Sequence, residues 1–520
     1  MRRGSWSGLV GLVAASVLAG AGYLLQAKWT LGLGLPLDDA WIHQTYARNL
    51  VERGEWAFQP GEPSAGSTAP LWTLILAIGR WLGLDPLAWT YAAGIALLVM
   101  TAWTAGRWLS HRQPGLRGWA IAAAALVVFE WHLVWASVSG METLALAFIA
   151  LLVLLAVDQG DWPALGVGLC LGAGLWIRPD ALLLAVPVTL AGVAHTTRQP
   201  RGSWPGLPWT FAVAAPLIGA YLAFNHSLSG EWWPTTFYAK QAEYAVLRAR
   251  PLLTRLFEQA QAPLVGMGMV LLPGLALAVV RDVRERKWAR LAAPLWIALH
   301  LAAYAVRLPV TYQHGRYALP VIPALLVLGL DGLATWARPL DSRSLRRRLS
   351  RAWLGSLLAV AAGFYLLGAR AYARDVAIIE SEMVAASRWI AEHTEPGALV
   401  AAHDIGALGY FGDRPLVDLA GLVSPEVVPI LRDEAALARY LDERRAEYLM
   451  TFPGWYPILV QNAELVFTTR GSYSPTAGGE NMAVFRWRAA SFARPAPAVL
   501  YSFQSTSGRD AHGNHRGHYR

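Results

Sequence analysis

Apolar residues gather along this chain in long unbroken runs, not in the alternating or every-third-position patterns of water-soluble elements. Runs at 7–25, 87–106, 118–137, 142–157, 163–177, 180–195, 209–225, 263–280, 291–306, 317–336 and 352–369 approach the roughly 20 residues a helix needs to cross a bilayer. Another stretch, 70–83, is shorter and carries Arg80. After 370 the pattern changes. Residues 374–393 repeat apolar positions at helical spacing, and short apolar segments follow at 398–402, 416–419, 448–452, 465–468 and 482–486, separated by Gly, Pro and helical stretches. The expected architecture is an α-helical polytopic membrane protein with about eleven transmembrane helices over 1–369. A small α/β domain over 370–487 follows, and a tail at 488–520, rich in Ser, Gly, Pro and His, is expected to be disordered.

Composition agrees with this and excludes the soluble classes. The 520 residues are 55% hydrophobic and only 15% charged, against roughly 25% charged in a typical soluble domain. A single cysteine, Cys170, inside an apolar run, rules out a disulfide framework. The net charge of +9 would suit nucleic acid on a soluble chain. Here the arginines fall in the loops 107–117, 198–201, 281–290 and 338–351, so they read as cytoplasmic topology signals. Together with Arg2 and Arg3, these loops share one side only if 70–83 does not cross but lies at the outer interface. That parity puts the N-terminus inside and the C-terminal domain outside the cytoplasmic membrane. The first run is long for a signal peptide and reads as a retained span. The 25 tryptophans cluster near run ends, as interfacial anchors do.

This topology gathers the chemically unusual residues on the outer face. Asp38 and Asp39 follow the first span, and on a helix starting there Asp39, His43 and Tyr46 share one side. Glu142 opens a span, Arg178 and Asp180 flank Pro179 at a turn, Tyr238 and Lys240 lie in a loop, and His314 and Arg316 stand at the mouth of another span. The cytoplasmic loops offer mostly arginine and no comparable mixture. Each residue alone has a plain explanation as a helix cap, a dipole partner or a snorkelling cation. Five segments delivering both signs of charge to one face point instead to a site. Glu130 and His132, inside 118–137, are expected to have a buried role, because isolated charge within a bilayer is costly.

The segments LDDAWIHQTYARNL, FQPGEPSAGSTAPLW, SGMET, RPD, PTTFYAK and HGRY, in that order, resemble the bacterial GT-C superfamily of integral-membrane glycosyltransferases. This group includes aminoarabinose transferases, protein O-mannosyltransferases and arabinofuranosyltransferases. The stretch HDIGALGYFGDRPLVDLAGL also looks like a domain that follows the membrane core in many bacterial members. The resemblance implies transfer of a sugar from a polyprenyl-phosphate carrier to a lipid, glycan or protein acceptor of the cell envelope. An aspartate would serve as general base and the anomeric centre would invert. Asp38 and Asp39 are the expected catalytic pair. The analogy places Asp38 first, with its neighbour orienting the acceptor or raising its pKa by like-charge proximity. Lys240, Arg316 and Arg178 are the expected phosphate ligands, and His43, Tyr46, Glu142, Asp180, Tyr238 and His314 the substrate-binding residues. Members of the group divide between those that use a divalent cation and those that do not. No His/Cys cluster here has ligand spacing, so no metal or cofactor is expected. The rival readings are a transporter or flippase, which would place ionisable groups near the bilayer midplane and often carries repeats, and a surface-polysaccharide ligase.

Overall fold

A computed structural model describes residues 3–160, 164–196, 206–337 and 345–488; the tail expected to be disordered lies outside the described residues from 489 on. Every apolar run falls in helical structure. Six helices are long and apolar enough to cross a membrane, and two further pairs, bent by 60° and 104°, pass the same test together. Three apolar helices, Thr143–Gln159, Ala164–Ile177 and Pro179–Ala194, are shorter. These are the ones that start or end at Glu142, Arg178 and Asp180, so the bundle is cut back where polar groups enter it. Pro70–Trp81 has 12 residues, about 18 Å of helix, too little for a hydrocarbon core of roughly 30 Å.

The 60° bend has a local cause. Glu130 leaves helical geometry at ψ 120° and caps the helix Trp131–Ser137. One carboxylate oxygen accepts from the Leu133 amide at 2.9 Å, and the other meets His132 Nδ1 at 2.8 Å. A buried acid and its histidine are thus used to restart a helix inside the bundle. Elsewhere small residues bring helices together. A methyl group at Gly274 or Gly332 would run into the backbone of the facing helix, the close approach that small residues permit in membrane bundles.

The last bundle helix does not stop where its apolar run ends. Leu345 to His393 is continuous, with one wider turn at Glu380–Val384, so the amphipathic stretch 374–393 is its extension and not a separate helix. Within the wider turn, Glu382 accepts from the Met482 amide at 2.8 Å and so ties the helix to the sheet beyond it. All five short segments form strands: β3 (Val400–Ala402), β4 (Leu416–Asp418), β5 (Tyr448–Thr451), β6 (Ala463–Thr468) and β7 (Ala483–Trp487), after a small hairpin of β1 (Ala57–Gln59) and β2 (Glu62–Pro63). The sheet runs β4-β3-β5-β7-β6, parallel across β4-β3-β5 and antiparallel across β5-β7-β6.

The bundle end far from the sheet, which reads on sequence as mostly arginine, also holds buried carboxylates. There Arg112, its side chain fully buried, meets Asp158 at 2.7 Å, Asp331 at 2.9 Å and Asp282 at 3.0 Å. Arg281 bridges Asp282 and Asp331, and Arg290 reaches Asp158. Four helices are joined by this network. Replacing Arg112 with Leu leaves three buried carboxylates short of a partner and should cost about 3–5 kcal/mol. Heating the detergent-purified variant should therefore collapse its monodisperse peak at a clearly lower temperature than wild type; equal thermostability would show the network to be dispensable.

Candidate active site

The helix Asp38–Arg53 begins with two acids, where carboxylates offset the helix dipole, and ends at Gly54 in left-handed geometry. Adjacent helical positions point about 100° apart, and the two aspartates have different surroundings. Asp38 faces the sheet domain. Its two oxygens accept from the Gly406 amide at 2.6 Å and the Ala407 amide at 2.8 Å. Gly406 has no room for a side chain against the Asp38 backbone. Burial pushes the Asp38 carboxyl up to about 8, with nearby Asp404 adding to the rise and the two amides opposing it. Asp38, the first choice as base on sequence, is tied to the backbone of the sheet domain through both its oxygens. Arg48, nearly three turns on, repeats the tie by donating to the Gly409 and Tyr410 carbonyls at 2.9 and 2.8 Å.

Asp39 faces a different way, into a cavity of about 570 Å³. Its Oδ2 lies 2.6 Å from Arg316 Nη2 and 2.9 Å from Lys240 Nζ. Enclosure works against ionisation, but Lys240 and Arg316 outweigh it and hold the Asp39 carboxyl well below the usual carboxylate range; Asp39 in turn holds Lys240 protonated. Lys240 is delivered by the helix Thr235–Glu243. That helix is pinned at its start, with the Thr235 amide on the Ala65 carbonyl at 3.1 Å and Thr236 Oγ1 on the Gly66 carbonyl at 2.6 Å. Arg316 is 3% exposed. One of its nitrogens binds Asp39 and the Tyr317 hydroxyl, while Nε and Nη1 are buried with no hydrogen-bond partner among the described residues.

A second polar network lines the same cavity. Arg178 donates to Asp180 at 3.0 Å, to Glu142 at 3.1 Å and to the Tyr304 hydroxyl at 2.7 Å. His43 Nε2 stands 3.4 Å from Glu142, and its Nδ1 stands 3.2 Å from Thr73 Oγ1. Arg178, expected as a phosphate ligand, has three of its five N–H groups committed to two carboxylates and a phenol. Leu182, Leu183, Val186, Leu308, Trp233 and Phe237 form an apolar part of the same wall.

Of the residues singled out on sequence, the structure brings Asp39, His43, Glu142, Arg178, Asp180, Lys240 and Arg316 to this cavity. Asp38, Tyr46, Tyr238 and His314 lie outside its wall. Tyr46 is fully buried; its hydroxyl meets Ser64 Oγ at 2.7 Å and accepts from the Gly66 amide at 3.0 Å, so it shapes the loop carrying Gly66 and Thr68. The Tyr238 ring packs edge-on against Phe237. His314 pairs with Asp375 at 2.7 Å. Sequence reasoning missed Tyr304, Tyr317 and Arg307. Tyr304 joins Arg178 to Asp180 and stacks on Tyr317 with ring centres 5.1 Å apart. A signal existed: His300 and Tyr304 are four apart on an otherwise apolar helix, a polar stripe that needs partners.

Comparison with known proteins adds the fold. Residues 372–493 match the family described as "Domain of unknown function (DUF8728)". No curated protein matches the chain in sequence. Among solved structures, ArnT from Cupriavidus metallidurans in the apo state is similar over 95% of this chain and 100% of its own, at 15% identity and TM-score 0.55. The same protein bound to undecaprenyl phosphate is 14% identical, with the same coverage and TM-score. The oligosaccharyltransferase AglB from Archaeoglobus fulgidus, in complex with an inhibitory peptide and a dolichol-phosphate, matches over 95% of this chain and 75% of its own, at 12% identity and TM-score 0.56. The chain has the GT-C fold, with a small sheet domain at its C-terminal end.

Proposed function

We propose that this protein is a glycosyltransferase that moves a pentose or hexose from a polyprenyl-phosphate donor to an acceptor hydroxyl. The site lies at the extracytoplasmic face of the cytoplasmic membrane, and the acceptor is a lipid, glycan or protein of the cell envelope. One observation carries the reading. The cavity presents a carboxylate held between two cations, and one of those cations, Arg316, keeps two buried nitrogens without a hydrogen-bond partner among the described residues. Buried donors of this kind suit an incoming anion. The apolar wall formed by Leu182, Val186 and Leu308, with Leu182 and Val186 exposed at the bundle surface, suits a hydrocarbon chain beside that anion. The GT-C fold, shared with structures holding undecaprenyl phosphate or dolichol-phosphate, supports the same donor class.

Asp39 accepts the acceptor hydroxyl's proton while the oxygen attacks the anomeric carbon. The bond from that carbon to the phosphate oxygen breaks, and its electron pair leaves with the phosphate. Lys240 and Arg316 receive the developing charge. As they turn from Asp39 to the phosphate, the carboxylate loses the partners that lower its basicity, so it strengthens as a base when the donor is in place. A single displacement inverts the centre. Since Asp39 is already paired with two cations, we assign no step to a divalent metal.

Mass spectrometry of lipids co-purifying with wild type and with Asp39→Asn tests the donor class. A polyprenyl phosphate bearing a sugar, more abundant on the variant, is expected. Retention of bulk phospholipid alone by both would overturn the reading.

A further inference from the structure

Arg316 is reached through an unusual piece of backbone. Gln313 (φ 54°), His314 (φ 59°) and Gly315 (φ 65°) are three successive residues in left-handed geometry, and two of them carry side chains that disfavour it. A Cβ at 315 would also meet Ala262, so glycine is needed there twice over. Strained backbone of this kind persists only where the surroundings over-determine it.

The surroundings do so at His314. Its Nε2 meets Asp375 Oδ2 at 2.7 Å, and the Trp135 indole donates to the same oxygen at 3.0 Å. The rings of Trp131 and Trp135 stand edge-on to the imidazole, each with its centre 5.4 Å away. Asp375 lies on the helix that runs on unbroken toward the sheet domain. The His314 side chain is directed to this pocket of indoles and not into the cavity, whereas Arg316, two residues later, is in the cavity wall. The turn is what divides the two directions.

We propose that His314 and Asp375 are positioning residues: their hydrogen bond holds the left-handed turn against its own strain and so aims Arg316 at the donor phosphate. This inference rests on the reading of Arg316 as the phosphate ligand. It assigns the histidine of the HGRY segment a role behind the site, and it couples the phosphate end of the cavity to the helix that carries the C-terminal domain.

The test is the affinity of detergent-purified protein for a polyprenyl phosphate, with thermal unfolding followed alongside. Four proteins are compared: wild type, Arg316→Met, His314→Ala and His314→Gly. Arg316→Met should lose binding. His314→Ala should weaken it by at least about tenfold, a shift of about 1.4 kcal/mol. His314→Gly removes still more side chain, yet glycine takes positive φ without strain, so it should bind better than His314→Ala. A packing role would give the reverse order. If Arg316→Met binds like wild type, the phosphate reading itself falls. If Arg316→Met loses binding while His314→Ala keeps it, or if His314→Gly is no better than His314→Ala, the positioning role is overturned. Should His314→Ala not fold, Asp375→Asn, which keeps the packing but not the charge, is expected to bind several-fold more weakly than wild type. Wild-type affinity there would overturn the proposal equally.

Discussion

Asp39→Asn should lower the rate of sugar transfer by about 10²–10⁴-fold, the range ascribed to a positioned general base, and it should do so without weakening the donor complex. The second half of that expectation separates a base from a mere counter-ion. Asp39 neutralises Lys240 and Arg316 at 2.9 and 2.6 Å. Its removal frees both cations, so the affinity for an anionic lipid stays level or rises while turnover collapses. Asp38→Asn behaves differently. The Asp38 oxygens accept two amides of the sheet domain, and Asn can accept only one of them while presenting an NH₂ to the other. The expected result is a loss of stability of about 1–3 kcal/mol, read as a lower unfolding temperature, with a smaller loss of turnover per folded molecule. Single-turnover rates and donor affinity for the two variants check both statements. The reverse pattern would return the base to Asp38.

Arg316→Met should lower kcat/KM for the lipid donor by about 10²–10³-fold, as does removal of one donor that meets developing charge in other enzymes. The loss falls on both binding and turnover, because the guanidinium meets the phosphate before and after the bond breaks. Arg316→Lys should recover only part of it. A lysine keeps the charge but not the planar fork that addresses Asp39 and a phosphate together. A donor-concentration series on the two variants measures this. An unchanged kcat/KM in Arg316→Met would place the phosphate elsewhere in the cavity.

The elements were legible where local pattern decides them. Apolar run length marked the bundle helices, and short apolar segments between Gly, Pro and helical stretches marked five strands. The roles of the charged residues were not legible to the same degree, since a role depends on partners remote in sequence. Asp38 and Asp39 read alike because nothing near them says that the Gly406 amide, 368 residues away, waits for the first. Arg178 reads as a free cation until Glu142 and Asp180 are seen on two sides of it. Arg112 reads as a topology signal because its three aspartates come from three other helices. His314 shares a short motif with Arg316, and only the left-handed turn between them shows that they face different ways.

The account turns on one chemical event: loss of sugar from a polyprenyl-phosphate donor with Asp39 as base. The direct measurement gives purified wild type and Asp39→Asn the sugar-loaded lipid in the presence of a total cell-envelope extract as acceptor source, and follows the released polyprenyl phosphate. Wild type should convert the donor, and Asp39→Asn should bind it and leave it intact. Equal release by the two proteins, or donor untouched by wild type, would contradict the account.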